Sequence, residues 1–255
     1  MKTLAVTRPK NSLKESKKIV DEFGFDFYAA PTIDLFPKES EDLEKLKFNI
    51  KQGKADFVIF TSKNGTRFFF EELGGGGLIE ELNKIRTIAI GPKTAKKLKK
   101  YLDEVEVPKK YSSSGLVNYL SGEVKGKIVE IARSSHGSEI LVEGLEQNNA
   151  IVHDVSLYEI GLPKDTSKIK ELIEKTLNKE IDVLTFTSKM TFVNFMKVAQ
   201  DLGKKNELIE ALNDVTIAAI GEPTKSKINE YGVSNVVAPQ EYTFKNMINT
   251  VVKEN

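Results

Sequence analysis

No cysteine and no tryptophan occur among the 255 residues, and there are only two histidines, His136 and His153. The missing cysteine excludes disulfides, thiol nucleophiles and cysteine metal sites, and it predicts a cytoplasmic protein. So few imidazoles argue against a histidine-rich metal cluster. No window approaches the roughly 18 apolar residues of a membrane span, and the start Met1-Lys2-Thr3-Leu4-Ala5-Val6-Thr7-Arg8-Pro9 has too short an apolar run for a signal peptide. Neither sign of charge prevails. Lys and Arg total 38 against 37 Asp and Glu, a net charge of +1, which argues against wholesale attraction to nucleic acid or an anionic membrane and leaves only local patches. No strand-like run is followed by Gly-x-Gly-x-x-Gly, which disfavours a nicotinamide enzyme, and neither a Ser-His-Asp nor a paired-carboxylate signature is present. The four glycines at 74–77 follow a helical stretch and precede Leu78-Ile79-Glu80, so they read as a flexible linker between helices, not as a phosphate loop.

What is present is a repeat. Asp56-Phe57-Val58-Ile59-Phe60-Thr61-Ser62-Lys63-Asn64-Gly65 is a short apolar run ending in a polar cluster that suits a turn and a helix cap. Its counterpart Asp182-Val183-Leu184-Thr185-Phe186-Thr187-Ser188-Lys189-Met190 stands 126 positions later (182 − 56). Thr87-Ile88-Ala89-Ile90-Gly91-Pro92-Lys93-Thr94 likewise returns as Thr216-Ile217-Ala218-Ala219-Ile220-Gly221-Glu222-Pro223-Thr224. Each copy is followed by a short strand, Val105 to Pro108 or Asn235 to Pro239, and then by Tyr111-Ser112 or Tyr242-Thr243 opening an amphipathic helix. The beginning is duplicated too, since Lys2 to Arg8 resembles Lys127 to Arg133. Gly24 closes the first helix in a left-handed cap, and Asn149, which tolerates that conformation, holds the matching place. Residues 25–36 and 151–162 read as extended segments, the first interrupted by Pro31.

Strands alternating with helices in this order predict two doubly wound parallel-sheet domains covered by helices on both sides. Ligands of such sheets sit beyond the carboxyl ends of the strands, where the two Thr-Ser loops, the two Gly-turn-Thr loops and the Arg8 and Arg133 loops should gather, lining a cleft between two facing domains.

The Thr-Arg-Pro start, the Phe-Thr-Ser-Lys-Asn-Gly loop, the Ile-Gly-Pro-Lys-Thr-Ala turn and the Tyr-Ser-Ser-Ser-Gly-Leu helix start, in this order and duplicated, make the sequence resemble the uroporphyrinogen-III synthases over its whole length. The resemblance implies two flavodoxin-like domains joined by a two-stranded β-ladder. The first domain would be 1–34 with 164–255, the second 37–161, and the ladder 25–36 with 151–162. It also implies a monomeric lyase that converts linear hydroxymethylbilane into cyclic uroporphyrinogen III, inverting ring D and losing water, without metal or organic cofactor. Two departures stand out: in the second turn Glu222, not proline, directly follows the glycine while Thr224 keeps its position, and Met190 stands where small or polar residues are usual in the resembling family. The rival reading is a non-catalytic two-domain receptor or regulator that closes on an anionic small molecule.

The candidate substrate-binding residues are Arg8, Ser62, Lys63, Asn64, Thr94, Arg133, Thr187, Ser188 and Thr224. Their hydroxyls can cap the helices that follow, and a capped helix at a cleft still offers backbone N–H groups to a carboxylate. The cations would answer the eight carboxylates of the implied substrate. His136 and His153 are expected on the surface and in a structural role. Tyr158 breaks the repeat, because the matching segment Pro31-Thr32-Ile33-Asp34-Leu35 has no tyrosine. In the resembling family a tyrosine at this place is the proposed acid for departure of the bilane hydroxyl, so Tyr158 is the candidate catalytic residue.

Overall fold

The structure, a computed structural model, describes residues 1–254, which form two compact units: Met1–Asp34 with Gly161–Asn255, and Leu35–Ile160. Ten strands are present among the described residues: β1 (Thr3–Val6), β2 (Asp26–Ala29), β3 (Asp34–Pro37), β4 (Phe57–Phe60), β5 (Arg86–Ala89), β6 (Ile128–Ser134), β7 (Ile151–Gly161), β8 (Val183–Phe186), β9 (Thr216–Ala219) and β10 (Val236–Val237). No helix is long and apolar enough to cross a membrane among the described residues.

The sheet of the first unit runs β2-β1-β8-β9-β10, with parallel neighbours throughout. Numbered within the unit, this is the 2-1-3-4-5 order of flavodoxin-like folds. The sheet of the second unit runs β3-β7-β6-β4-β5, and a parallel bridge from Ile88 to Glu106 extends it past β5. Counted from β6, its strands β7-β6-β4-β5 and the 106 bridge give the same 2-1-3-4-5 order, entered by the chain at the third strand. Each half of the sequence therefore gives two strands to one domain and three to the other.

Both sheets are buried on both faces, which is why their central strands are continuous apolar runs and not alternating ones. All four residues of β4 and all four of β8 are buried. Successive side chains nevertheless enter different cores: Val58 and Phe60 pack with Leu43, Phe69 and Leu98, whereas Phe57 and Ile59 pack with Leu116, Ile131 and Leu145. The first domain divides its core in the same way, with Ala5 and Phe186 on one face and Leu4, Val6 and Val183 on the other. The two helix ends expected to be left-handed are so, Gly24 at φ 75° and Asn149 at φ 61°.

Three local expectations are revised. Residues 74–77 are not a flexible linker: Gly75–Leu78 is a 3-10 turn, and a Cβ at Gly75 would stand 2.2 Å from the Phe69 ring, so the glycine is there for close packing. The segment before it leaves the regular helix, with Leu73 N–H donating to the Phe68 carbonyl at 2.8 Å over Phe68–Glu72. That wider turn lets three consecutive phenylalanines all point inward, Phe69 and Phe70 against Phe60 and Phe68 against Tyr158. Residues 25–36 do not form one strand. Asp26–Ala29 pairs with β1, Pro31 withholds a donor, and Asp34–Pro37 lies beside β7 in the other sheet.

Candidate active site

In each sheet the strand order reverses at one place, between β1 and β8 in the first domain and between β6 and β4 in the second. Connections leave such neighbours toward opposite faces, so their carboxyl ends open a crevice. Of the ten candidate residues, the crevice of the second domain brings together Ser62 and Tyr158, with Arg133 at the end of β6 beside them. Ser62, at the end of β4, is the N-cap of helix Lys63–Arg67, and its Oγ accepts the Gly65 N–H at 2.9 Å. The same Oγ lies 3.1 Å from the phenol oxygen of Tyr158, which β7 carries to this point. The Tyr158 ring stacks on Phe68 at 5.2 Å between centroids and is 5% exposed, so its phenol is fixed by packing as well as by the hydroxyl. Pairing of β6 with β7 shifts register between Arg133 and Ser134, which sets Tyr158 opposite Ser134. A cavity of about 220 Å³ adjoins them, lined by Thr61, Ser62, Ile90, Ser113, Ser134 and Ser138 with Arg133, Gly137 and Leu141. Five of its nine lining residues, Thr61, Ser62, Ser113, Ser134 and Ser138, carry hydroxyls.

Arg8 and Arg133 occupy equivalent strand ends, yet both turn into their own domains. Arg133 is 5% exposed. Its Nε and Nη2 donate to the Asp154 carboxylate at 2.6 and 2.5 Å, Nη1 donates to the Ser138 carbonyl at 2.6 Å, and Nη2 reaches Glu139 at 3.2 Å. Its hydrogen bonds to Asp154 raise the Arg133 pKa above the ordinary arginine value, against the opposing effect of burial. The Arg133 side chain thus braces the loop over residues 134–138, and Gly137 is required there, since a Cβ would stand 2.3 Å from the Arg133 Cδ. Arg8 donates to Ser16 Oγ at 3.0 Å and lies over the Phe244 ring at 4.8 Å; burial lowers its pKa.

Of the remaining candidates, Lys63 is exposed and Asn64 half-buried on the first turn after Ser62. In the first domain Ser188 caps helix Lys189–Asp201 in a reciprocal pair with Thr191, each donating an N–H or accepting one at 3.2 Å, and Thr187 is half-buried beside it. Thr94 and Thr224 are each 4% exposed, so their side chains serve the packing of helices Pro92–Leu98 and Glu222–Asn229. Glu222 in the place of Pro92 leaves the conformation at the glycine unchanged, for Gly91 (φ −172°, ψ 176°) and Gly221 (φ 178°, ψ 174°) share one backbone conformation. His136 is exposed, whereas His153 Nδ1 lies 2.8 Å from the fully buried Glu130.

Sequence reasoning missed Asp154, the partner that decides where Arg133 points, and it missed Ser134 and Ser138, whose only signal was the serine-rich loop after β6. A larger recess of about 590 Å³ between Phe48, Lys47 and Leu78 lies on a helical face away from the strand ends. Among the described residues, no group of three or more His, Asp or Glu is placed to hold a metal ion.

Two doubly wound domains of one strand order, with phenol and hydroxyl groups gathered at a strand-order reversal, define a two-domain α/β protein of the flavodoxin-like class. The family model described as uroporphyrinogen-III synthase HemD matches residues 14–249, and the chain belongs to that family. A putative uroporphyrinogen-III synthase of Methanothermobacter thermautotrophicus is 34% identical over 251 residues, spanning 96% of this chain and 95% of the relative. The uroporphyrinogen-III synthase of Chlorobaculum parvum is 26% identical over 249 residues, spanning 95% and 94%. Among solved structures, uroporphyrinogen-III synthetase from Helicobacter pylori superposes with a TM-score of 0.66 over all of both chains at 16% identity. A mutant uroporphyrinogen III synthase from Thermus thermophilus does so at 0.58, over 99% and 98%, at 21%. These two share the fold.

Proposed function

We propose that the protein closes linear hydroxymethylbilane into uroporphyrinogen III, with inversion of ring D and loss of water, and that Tyr158 is the acid in this cyclising lyase. The observation that carries the assignment of the site is the 3.1 Å approach of the Tyr158 phenol to Ser62 Oγ at the strand-order reversal of the second domain. A phenol held there can give its proton to the departing bilane hydroxyl, which leaves as water; the methylene carbon left behind bonds ring D at the carbon that already carries the bridge from ring C, that older bond breaks, and the freed bridge rejoins ring D at its unsubstituted carbon, which gives up its proton and leaves the ring inverted. The proton released at ring closure restores the phenol. Ser62 Oγ already accepts the Gly65 N–H, so its own hydrogen is free to be offered to the phenolate that forms.

Substrate carboxylates at the second domain are held by Lys63, Asn64 and the backbone N–H groups of the Ser62 helix start, and Thr187 with the Ser188 helix start offers the same kind of groups in the first domain. Arg8 and Arg133 serve by fixing the loops that carry these groups, and Thr94 and Thr224 by seating their helices. Holding the bilane in a bent geometry supplies more of the barrier than any one acid: positioning is worth about 7–11 kcal/mol at its best, against a factor of about 10² to 10⁴ for general acid catalysis. The protein acts as a monomer in the cytoplasm, without nucleic acid, membrane or cofactor.

The test is to incubate the purified protein with hydroxymethylbilane and resolve the product isomers. Spontaneous closure yields the type I isomer, so the type III isomer as main product is the expected result. Type I alone overturns the proposal in favour of a receptor that binds without turnover.

A further inference from the structure

Two tyrosines have no part in the account above, and they occupy the same place in the two domains. Tyr111 is 62% exposed and Tyr242 65%. Each lies against the glycine that opens a helix: a Cβ at Gly91 would stand 3.3 Å from the Tyr111 Cβ, and one at Gly221 would stand 2.9 Å from two ring carbons of Tyr242. Neither glycine is needed for its backbone, because both have φ within a few degrees of 180°, which any residue adopts (−172° and 178°). The glycines are explained by the tyrosines they seat. The fold twice keeps a position bare so that an aromatic side chain can settle over a turn at the carboxyl end of a strand, and twice leaves most of that side chain in water.

What covers it is indicated in the second domain. Ile90 and Ser113, the neighbours of Gly91 and Tyr111 along the chain, line the 220 Å³ cavity that also contains Ser62. Lys109 and Lys110, just before the tyrosine in sequence, are exposed, as is Lys93, two residues after Gly91. An aromatic face, a recess with hydroxyl walls and nearby cations together match a flat ring that carries carboxylate arms.

We propose that Tyr111 is a substrate-contacting residue whose ring takes one pyrrole of the bilane, an arm of that pyrrole entering the cavity lined by Ile90 and Ser113. This rests on the synthase reading given above. The chain contains no tryptophan, so Tyr111→Trp places a single indole at the contact while preserving an aromatic face. Addition of hydroxymethylbilane should quench that indole saturably, with a midpoint that follows KM. Tyr111→Phe and Tyr111→Trp should keep KM within about twofold, whereas Tyr111→Ala should raise it about tenfold, the fold-change of one good stacking contact, with kcat and Tm little changed. Indole emission that ignores saturating substrate in a variant still making the type III isomer overturns the contact and leaves the synthase assignment standing, as does an unchanged KM in Tyr111→Ala. Wild-type protein that makes only the type I isomer overturns the synthase reading and this contact with it.

Discussion

Ser62 joins a structural duty to the proposed chemical one through a single oxygen, accepting the Gly65 N–H as a helix cap while facing the Tyr158 phenol. Its removal should therefore be visible in two measurements. Ser62→Ala is expected to cost about 1 kcal/mol in a urea unfolding series, the usual worth of a cap, and to slow turnover by less than loss of the phenol itself does. Ser62→Thr keeps both functions and should recover both losses; a Ser62→Ala enzyme of full rate would remove the hydroxyl from the mechanism. Residues of this kind were legible in the sequence because capping is local: a serine at the end of an apolar run, three positions before Gly65, announces itself. Arg133 was legible only in position. Its direction is set by Asp154 on the neighbouring strand, 21 residues away, and nothing in the local sequence of Arg133 reports that carboxylate.

Among the elements, the sheet edge beyond β5 depends on one ion pair. Glu106, at the bridge to Ile88, accepts from Arg86 Nε and Nη2 at 2.7 and 2.8 Å and from the Tyr119 hydroxyl at 2.8 Å, and Arg86 also pairs with Glu123. The Arg86 hydrogen bonds hold the Glu106 carboxyl below its ordinary value, outweighing burial, with Tyr119 adding to them. A depressed folded-state pKa contributes stability that is complete above the unfolded value, about 4.3, and is lost as pH falls through the folded value. Glu106→Gln should then lower stability at pH 7 by no more than about 1 kcal/mol, since both partners are part-exposed, and the two stability curves should converge below about pH 4. Parallel curves down to acid pH would contradict this. Helix ends and strand runs were readable as elements, down to the left-handed Asn149. The wide turn at Phe68–Glu72 was not, because it exists to turn three consecutive phenylalanines toward β4, a demand set by packing and not by local pattern.

For the whole molecule, the 126-position repeat reads as two halves, yet the compact units are Met1–Asp34 with Gly161–Asn255, and Leu35–Ile160. Each half offers two strands followed by three, and either way of combining them satisfies the same alternation of strands and helices. Local physics could not choose between them; the resemblance to a known family indicated the crossed arrangement. The outcome places the second domain's switch point between β6 and β4, strands from different halves, and so brings Ser62 of the first half to Tyr158 of the second.

That meeting is the centre of the account, and the most direct test is the single-turnover rate of Tyr158→Phe with its product isomers resolved. The substitution keeps the ring that stacks on Phe68 and removes only the proton. The account predicts closure slowed by about 10²-fold, at the lower end for loss of a general acid, with the type III isomer still the main product because the geometry of binding is intact. A variant that closes hydroxymethylbilane at the full wild-type rate would contradict it.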